Sequence, residues 1–393
     1  MPVLAALAGT LLGCLTGLLP GVHVNLLLAV MASSGFSFFQ GGDYAAFVVA
    51  LALSHSISGI IPSVFLAAPN SDNLLSALPG HRLLLEGKGL RAVHASVFGA
   101  ASASVLSLLL SPAILFLVVA YKPVLEAVTP FLLLAALSLS VLTEESKRKK
   151  FMALGIAACS GLLGMLSVSS SWGFEPLFPV FTGMFALAPL ARSAFSSTPL
   201  PVQSIEPAEM DSKGLLLPSV KGVLGGALIG FIPAVGPAQA GFLFSFFQGF
   251  NSIEYLAFIS SVVVSSAFFN FHAASLFGEA HSGAAVFLLN EFPGAGVEFL
   301  SLAALSSAFL ACFFALAASR RFLQALNGVD YSVLNASILA FLLALVLRLS
   351  GPLGLALSLL SAFLGYAVLA SGVKRINLLS FLSVPTIAFH LWL

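Results

Sequence analysis

The feature that most constrains this chain is a contradiction. It is built of long apolar runs, yet two of them carry a proline break where hydrocarbon should surround the backbone. The runs fall at roughly 3–19, 22–39, 44–68, 93–119, 124–142, 151–170, 177–190, 215–232, 238–250, 255–276, 296–318, 331–349, 353–371 and 376–392. Segments of this length suit helices crossing a hydrocarbon core about 30 Å thick. The alternating pattern of a membrane β-barrel is absent. Only 8% of the residues are charged, against about 25% in a soluble domain. The sequence therefore specifies an all-α polytopic protein, multi-pass in the cell membrane and in contact with membrane lipid. A helix that ends within hydrocarbon leaves backbone N–H and C=O groups without partners, at several kcal/mol each. "GLLPGVHVN" (17–25) and "PAVGPAQAG" (233–241) both impose such an end, so both need a protein-lined or polar surrounding.

The two breaks belong to a repeat. "GTLLGCLTGLLPGV" (9–22) aligns with "GVLGGALIGFIPAV" (222–235). Gly9, Gly13, Gly17, Pro20 and Val22 meet Gly222, Gly226, Gly230, Pro233 and Val235, every pair at one 213-residue offset. Glycines four apart line one helix face and permit close helix approach. Packing alone does not explain the shared Gly-xx-Pro break. The expected organisation is a first membrane repeat over 1–191, a cytoplasmic linker over 192–214 and a second membrane repeat over 215–393. The loop after the third apolar run of the first half carries His81, Arg82, Lys88 and Arg91. Its counterpart carries Glu279, Glu291 and Glu298, with no Lys or Arg. Basic loops stay cytoplasmic, so equivalent loops fall on opposite sides. The N-terminus is then outside, with 143–150 and 192–214 inside. The fold class is inverted-topology repeats with broken helices or re-entrant helical hairpins, a common build for secondary transporters.

In such a build, helix starts beyond each break can hold an anion, and the carbonyl ends before it suit a cation. Candidate binding residues at the first break are Pro20, Gly21, His23 and Asn25. At the second they are Pro233, Gly236 and Gln239. The next run of each half adds polar groups: Ser54, His55 and Ser58 in "LSHSISG" (53–59), Asn270 and His272 in "SSAFFNFHAAS" (265–275). Intramembrane ionisable residues are rare and usually functional. Histidine alone has an ordinary pKa suited to proton coupling near neutrality. The competing reading is structural: serines bond back to their own helix, and each histidine makes one interhelical bond. The expectation is that His23, Asn25, His55, Asn270 and His272 share one cavity with the breaks. H⁺ at His23 or His55, or Na⁺ at carbonyls near Leu19 and Ile232, is the candidate coupling ion. "PNSDNLLSALPGHRLLLEGKGLRA" (69–92) is too polar for a crossing, and an amphipathic helix is expected over 80–91.

Other classes are disfavoured. A net charge of +1 without a large basic tract gives no footprint for nucleic acid. Cys14, Cys159 and Cys312 lie singly in apolar runs and read as small core residues. No phosphate-binding Gly-xxxx-Gly-Lys-Ser/Thr loop occurs. No spacing recommends a catalytic serine, and no metal site or cofactor is expected.

The stretch "GTLLGCLTGLLPGVHVN" (9–25) resembles the membrane permease family of the tripartite tricarboxylate transporters (TctA-like). That family carries Gly-xxx-Gly-xxx-Gly-xx-Pro-Gly near its N-terminus and a second proline-containing copy halfway along. The Pro-Gly-x-His-x-Asn variant is similar to its archaeal branch. The resemblance implies solute uptake driven by an ion gradient. It also implies a small membrane subunit and an extracellular solute-binding protein for carboxylates. The second copy here reads Pro233-Ala234, and "VHVNLLLAV" replaces a Thr-rich stretch. No Arg or Lys lies in 17–25 or 233–241, and a trianion without one would be expensive to desolvate. The leading expectation is a permease, not an enzyme, moving a small organic anion of the carboxylate class, with a homodimer as candidate assembly. The alternatives are a lipid-carrier translocase of the polyprenyl-phosphate type and a non-transporting membrane scaffold.

Overall fold

The computed structural model describes residues 1–19, 22–33, 39–66, 74–174, 176–194, 203, 212–232, 235–245, 249–326 and 330–392. Among these residues the chain is helical, with no strand. The first half comprises α1 (Pro2–Gly17), α2 (Val24–Ser33), α3 (Gly41–Ser58), α4 (Ile60–Phe65), α5 (Leu74–Leu85), α6 (Gly89–Leu142), α7 (Lys147–Ser169) and α8 (Leu177–Phe181). A π-helical turn, Thr182–Leu187, joins α8 to α9 (Ala188–Ala194). The second half comprises α10 (Ser212–Gly230), α11 (Pro237–Ser245), α12 (Ser252–Phe277), α13 (Gly283–Glu291), α14 (Val297–Leu326) and α15 (Tyr331–Ser371). A 3₁₀ turn, Arg375–Leu379, leads into α16 (Ser380–Trp392). Seven helices among the described residues are long and apolar enough to cross a membrane. The protein is thus a polytopic membrane protein.

The glycine rows set the architecture. Gly9, Gly13 and Gly17 of α1 lie against Phe47, Leu51 and His55 of α3, in rising order, so the two helices run parallel. A Cβ at Gly13 would collide with the Ser54 hydroxyl and with the Leu51 carbonyl. Because α1 and α3 are parallel, α2 must return the chain to the side where α1 began. The N-terminal amine, 3.9 Å from Asp43 at the start of α3, marks that side. At 16 residues, α1 spans about 24 Å, short of a full hydrocarbon crossing. The pair α1–α2 is therefore a re-entrant hairpin.

The second half repeats this geometry. Gly222, Gly226 and Gly230 of α10 lie against Phe258, Val262 and Phe269 of α12. Phe47 and Phe258 are the carbonyls met by Gly9 and Gly222, and Leu51 and Val262 those met by Gly13 and Gly226. These partners stand 211 positions apart in both cases. The two units are inverted. Gly42, at the start of α3, packs by Phe299, while Ser275, near the end of α12, donates to Ala295 in the same region. So α3 and α12, the buried central helices, run antiparallel.

Four sequence expectations need revision. The runs 93–119 and 124–142 form one continuous helical stretch, α6, which contains Pro112, Pro123 and Pro130. A proline bends a membrane helix without ending it where neighbours re-satisfy the freed carbonyl. The runs 331–349 and 353–371 are also merged, in α15, but with a true kink at Gly351 (φ 67°, ψ −172°) before Pro352. The acidic loop 278–296 contains a helix, α13, started by Ser282, whose hydroxyl accepts from Ala285 N–H. The amphipathic helix expected at 80–91 lies earlier, as α5.

Candidate functional site

Three helices begin at one cavity. It has a volume of about 460 Å³ and is lined by the residue just before, and the first two residues of, α2 (His23, Val24, Asn25), α11 (Gly236, Pro237, Ala238) and α13 (Ser282, Gly283, Ala284). Each start is held by a side chain that also lines the cavity. The Asn25 N–H donates to His23 Nδ1 at 3.1 Å. The Gly236 N–H donates to Gln239 Oε1 at 3.0 Å. Ser282 caps α13 and donates to Asn270 Oδ1 at 3.1 Å. The first N–H groups of a helix lack intrahelical acceptors and carry partial positive charge. Helix starts of this kind are the groups from which anion sites are built.

The central helices contribute matched positions. Ala52 and Ser56 of α3, and Val263 and Ala267 of α12, line the cavity. Each pair shares the 211-residue offset of the glycine partners. Ser266 and Asn270 complete the α12 side. A further wall comes from Leu177, Phe178, Phe181, Thr182 and Phe185 around the π-helical turn, with Leu379 and Leu382 from the chain's end. Gln239 Nε2 approaches Ser383 Oγ at 3.4 Å, which ties α11 to α16. Among the described lining residues none is Asp, Glu, Lys or Arg, and the ionisable ones are His23 and His281.

Of the residues singled out in the sequence, His23, Asn25, Gly236, Gln239 and Asn270 line this one cavity. Pro20, Gly21 and Pro233 lie outside the described residues. Ser54, His55, Ser58 and His272 are not among its lining residues, and each packs elsewhere. Ser54 donates back to Ala50, and Ser58 packs on Gly17. His55 is fully buried behind His23, with ring centroids 6.4 Å apart. Its Nε2 bonds the Val22 carbonyl and its Nδ1 the Thr16 hydroxyl, both at 3.1 Å. His272 faces α14: Nδ1 lies 2.8 Å from the Phe268 carbonyl and Nε2 2.9 Å from Ser301 Oγ. Its ring stacks on Phe268 at 4.4 Å.

Sequence reasoning missed His281, Ser282 and Thr182. His281 sits in the short connection between α12 and α13, its side chain 8% exposed and its Nε2 without a hydrogen-bond partner. Burial pulls its pKa below the usual histidine range. Glu279 opposes this, and Lys122 pushes the same way as burial. Lys122 itself bonds Glu279 at 2.6 Å and pairs with Glu126. The sequence signal was available in "HSGA" (281–284), where Ser-Gly ahead of an apolar run marks a helix start.

Inverted re-entrant hairpins around a shared buried cavity define a membrane transporter by architecture. The chain matches the family model "Tripartite tricarboxylate transporter TctA family" over residues 3–380, and it belongs to that family. It is also 26% identical to an uncharacterised protein of Methanocaldococcus jannaschii, over 99% of each chain. That relative is archaeal, which agrees with the archaeal branch suggested by Pro-Gly-x-His-x-Asn. No solved structure matches the chain significantly.

Proposed function

We propose that this permease carries out secondary transport of a small organic anion of the carboxylate class, coupled to an ion gradient. The anion binds between the two hairpin breaks. One observation carries the reading: the N-terminal residues of α2, α11 and α13 line a single cavity in which no acidic residue is found among those described. His23, Asn25, Gly236, Gln239 and Asn270 hold or contact the anion. His55 is a positioning residue that fixes the first break.

The family relation supports an extracellular solute-binding protein and a small membrane subunit as partners. Residues 1–191 and 215–393 act as the two repeats, with 192–214 as a cytoplasmic linker. In keeping with that, Gln203 of the linker accepts from Gly89 N–H and donates to the Leu84 carbonyl, next to the basic Arg82–Lys88 segment. H⁺ or Na⁺ is the coupling ion.

The test is uptake of labelled carboxylates into proteoliposomes under imposed pH and Na⁺ gradients. Gradient-dependent accumulation that is lost on Asn270→Ala is expected. Absence of uptake for every carboxylate, alongside flipping of a polyprenyl phosphate, would turn the assignment to a lipid carrier.

A further inference from the structure

Three features of the cavity bear on which anion enters it, granted the anion reading above. The first is charge. A helix N-terminus is equivalent to about half a positive charge, so three supply on the order of one to one and a half. Neither Lys nor Arg adds to this among the described lining residues. That balance suits one carboxylate and falls well short of three.

The second is the apolar wall. Leu177, Phe178, Phe181 and Phe185 on one side of the chain, with Leu379 and Leu382 from its end, line the cavity. A polyanion would set charged oxygens against these rings at a large desolvation cost. A cavity of about 460 Å³ holds a ring-sized body, within the ordinary range for small-molecule pockets.

The third is a hydroxyl without a partner. Thr10, Thr129, Thr143 and Thr386 each donate to the carbonyl four residues back. Thr182 makes no such bond. It opens the π-helical turn, lines the cavity, is 3% exposed, and its Oγ1 has no hydrogen-bond partner. Of the buried side-chain polar atoms without a hydrogen-bond partner among the described residues, Asn25 Oδ1, Thr182 Oγ1 and His281 Nε2 belong to residues that line the cavity, and π-turns frequently mark functional sites. The nearby Gly183 packs against Ser358 and Ser361 of α15, which fixes the turn in place. His281 Nε2, also buried and without a hydrogen-bond partner, lines the same cavity.

We infer that the cavity selects a monocarboxylate with an apolar, ring-sized body bearing one neutral hydrogen-bonding group. The carboxylate sits on the helix N-termini beside His281, and the Thr182 hydroxyl reads the neutral group.

Binding to the purified full chain in nanodiscs tests this. The probes are phenylacetate, its 2-, 3- and 4-hydroxy isomers, succinate and citrate, compared by dissociation constant. One hydroxy isomer should bind about three- to tenfold tighter than phenylacetate, the range contributed by one neutral hydrogen bond. Succinate and citrate should bind more weakly than phenylacetate. In Thr182→Val that hydroxy isomer and phenylacetate should bind alike. Thr182→Ser should restore the advantage. Tighter binding of succinate or citrate overturns the substrate class but leaves the anion site standing. An advantage that survives Thr182→Val, or no advantage for any isomer, overturns the role of Thr182. If none of the six carboxylates binds the folded protein, the anion reading itself falls.

Discussion

His55 Nε2 lies 3.1 Å from the carbonyl oxygen of Val22, and its Nδ1 lies 3.1 Å from the hydroxyl of Thr16. One imidazole thus spans the break, tying the end of α1 to the residue that leads into α2. This answers the problem set by a helix end in hydrocarbon: a side chain from the parallel helix α3 takes up the backbone group freed there. His55→Ala would orphan that carbonyl, at about 1–3 kcal/mol for the unsatisfied group, and would leave a cavity as well. A clear drop in melting temperature in detergent is expected, with His55→Gln recovering part of it through its amide. An Ala variant that melts with wild type would remove the clamp from the argument.

The glycine rows make a paired prediction. A Cβ at Gly13 would meet the Ser54 hydroxyl and, at 2.5 Å, the Leu51 carbonyl. A Cβ at Gly226 would lie 2.5 Å from the Val262 carbonyl and 2.8 Å from Ser265 Cβ. Backbone carbonyls cannot yield as a side-chain tip can. Gly13→Ala and Gly226→Ala should each destabilise by about 1–3 kcal/mol or more, the usual cost of overpacking. Gly155, with nothing within 4 Å of a built Cβ, is the control. Its Ala variant should melt at or slightly above wild type, since Ala is the better helix former. Equal melting of all three in a thermal scan would mean that the close approach is not needed.

Much of this architecture was legible because it rests on one-dimensional signals. Apolar run length gave the class, and the 213-residue offset located both hairpins. The lining of the candidate cavity was legible at His23, Asn25, Gly236, Gln239 and Asn270, residues next to a proline break or one helix face away. It was not legible at His55 and His272. An apolar segment with a histidine looks the same in sequence whether the ring meets a cavity or a neighbouring carbonyl. Thr182 was hidden for another reason. A single shift in hydrogen-bond register leaves no mark in composition, and "FTGMF" (181–185) reads as any small-residue helix.

Sidedness follows from the two ends of the α3–α4 stretch: Gly41 at its start meets Phe292, while the Val64 carbonyl at its far end meets His81, close to Arg375 and so to the Lys374–Thr143 bond beside the basic run. Arg148 lies in the basic run 147–150, and Glu291 ends α13 near the start of α3. Arg148→Cys and Glu291→Cys, each in a chain with Cys14, Cys159 and Cys312 replaced by Ala, should label from opposite sides with an impermeant maleimide. Position 148 should be reached only from the cytoplasm. Labelling of both from one side would dissolve the inverted repeat, however well the two glycine rows align.

His281 gives the pH prediction. It lies outside the membrane-spanning helices, and burial holds its pKa below the ordinary value of about 6.5. The charged groups around it are Glu279, 4.0 Å away, with Lys122 and Glu126 of α6 beyond; His23, just before α2, lines the same cavity. For the protein without substrate, the sign is that of a depressed histidine. The unfolded chain takes up the proton first, so this contribution to stability is complete above about pH 6.5 and is lost as pH falls below it. An anion in the cavity reverses the balance, because it favours the imidazolium. Anion and proton then strengthen one another's binding, and the coupling is reciprocal. Affinity for phenylacetate should rise as pH falls from 7.5 to 5.5, by up to about tenfold if binding raises the pKa by one unit. His281→Gln should flatten that profile and also remove the acid-side loss of melting temperature. His23→Gln in the same assay separates the two cavity histidines. A steep profile that persists in His281→Gln and disappears in His23→Gln would move the coupling proton to the first hairpin break.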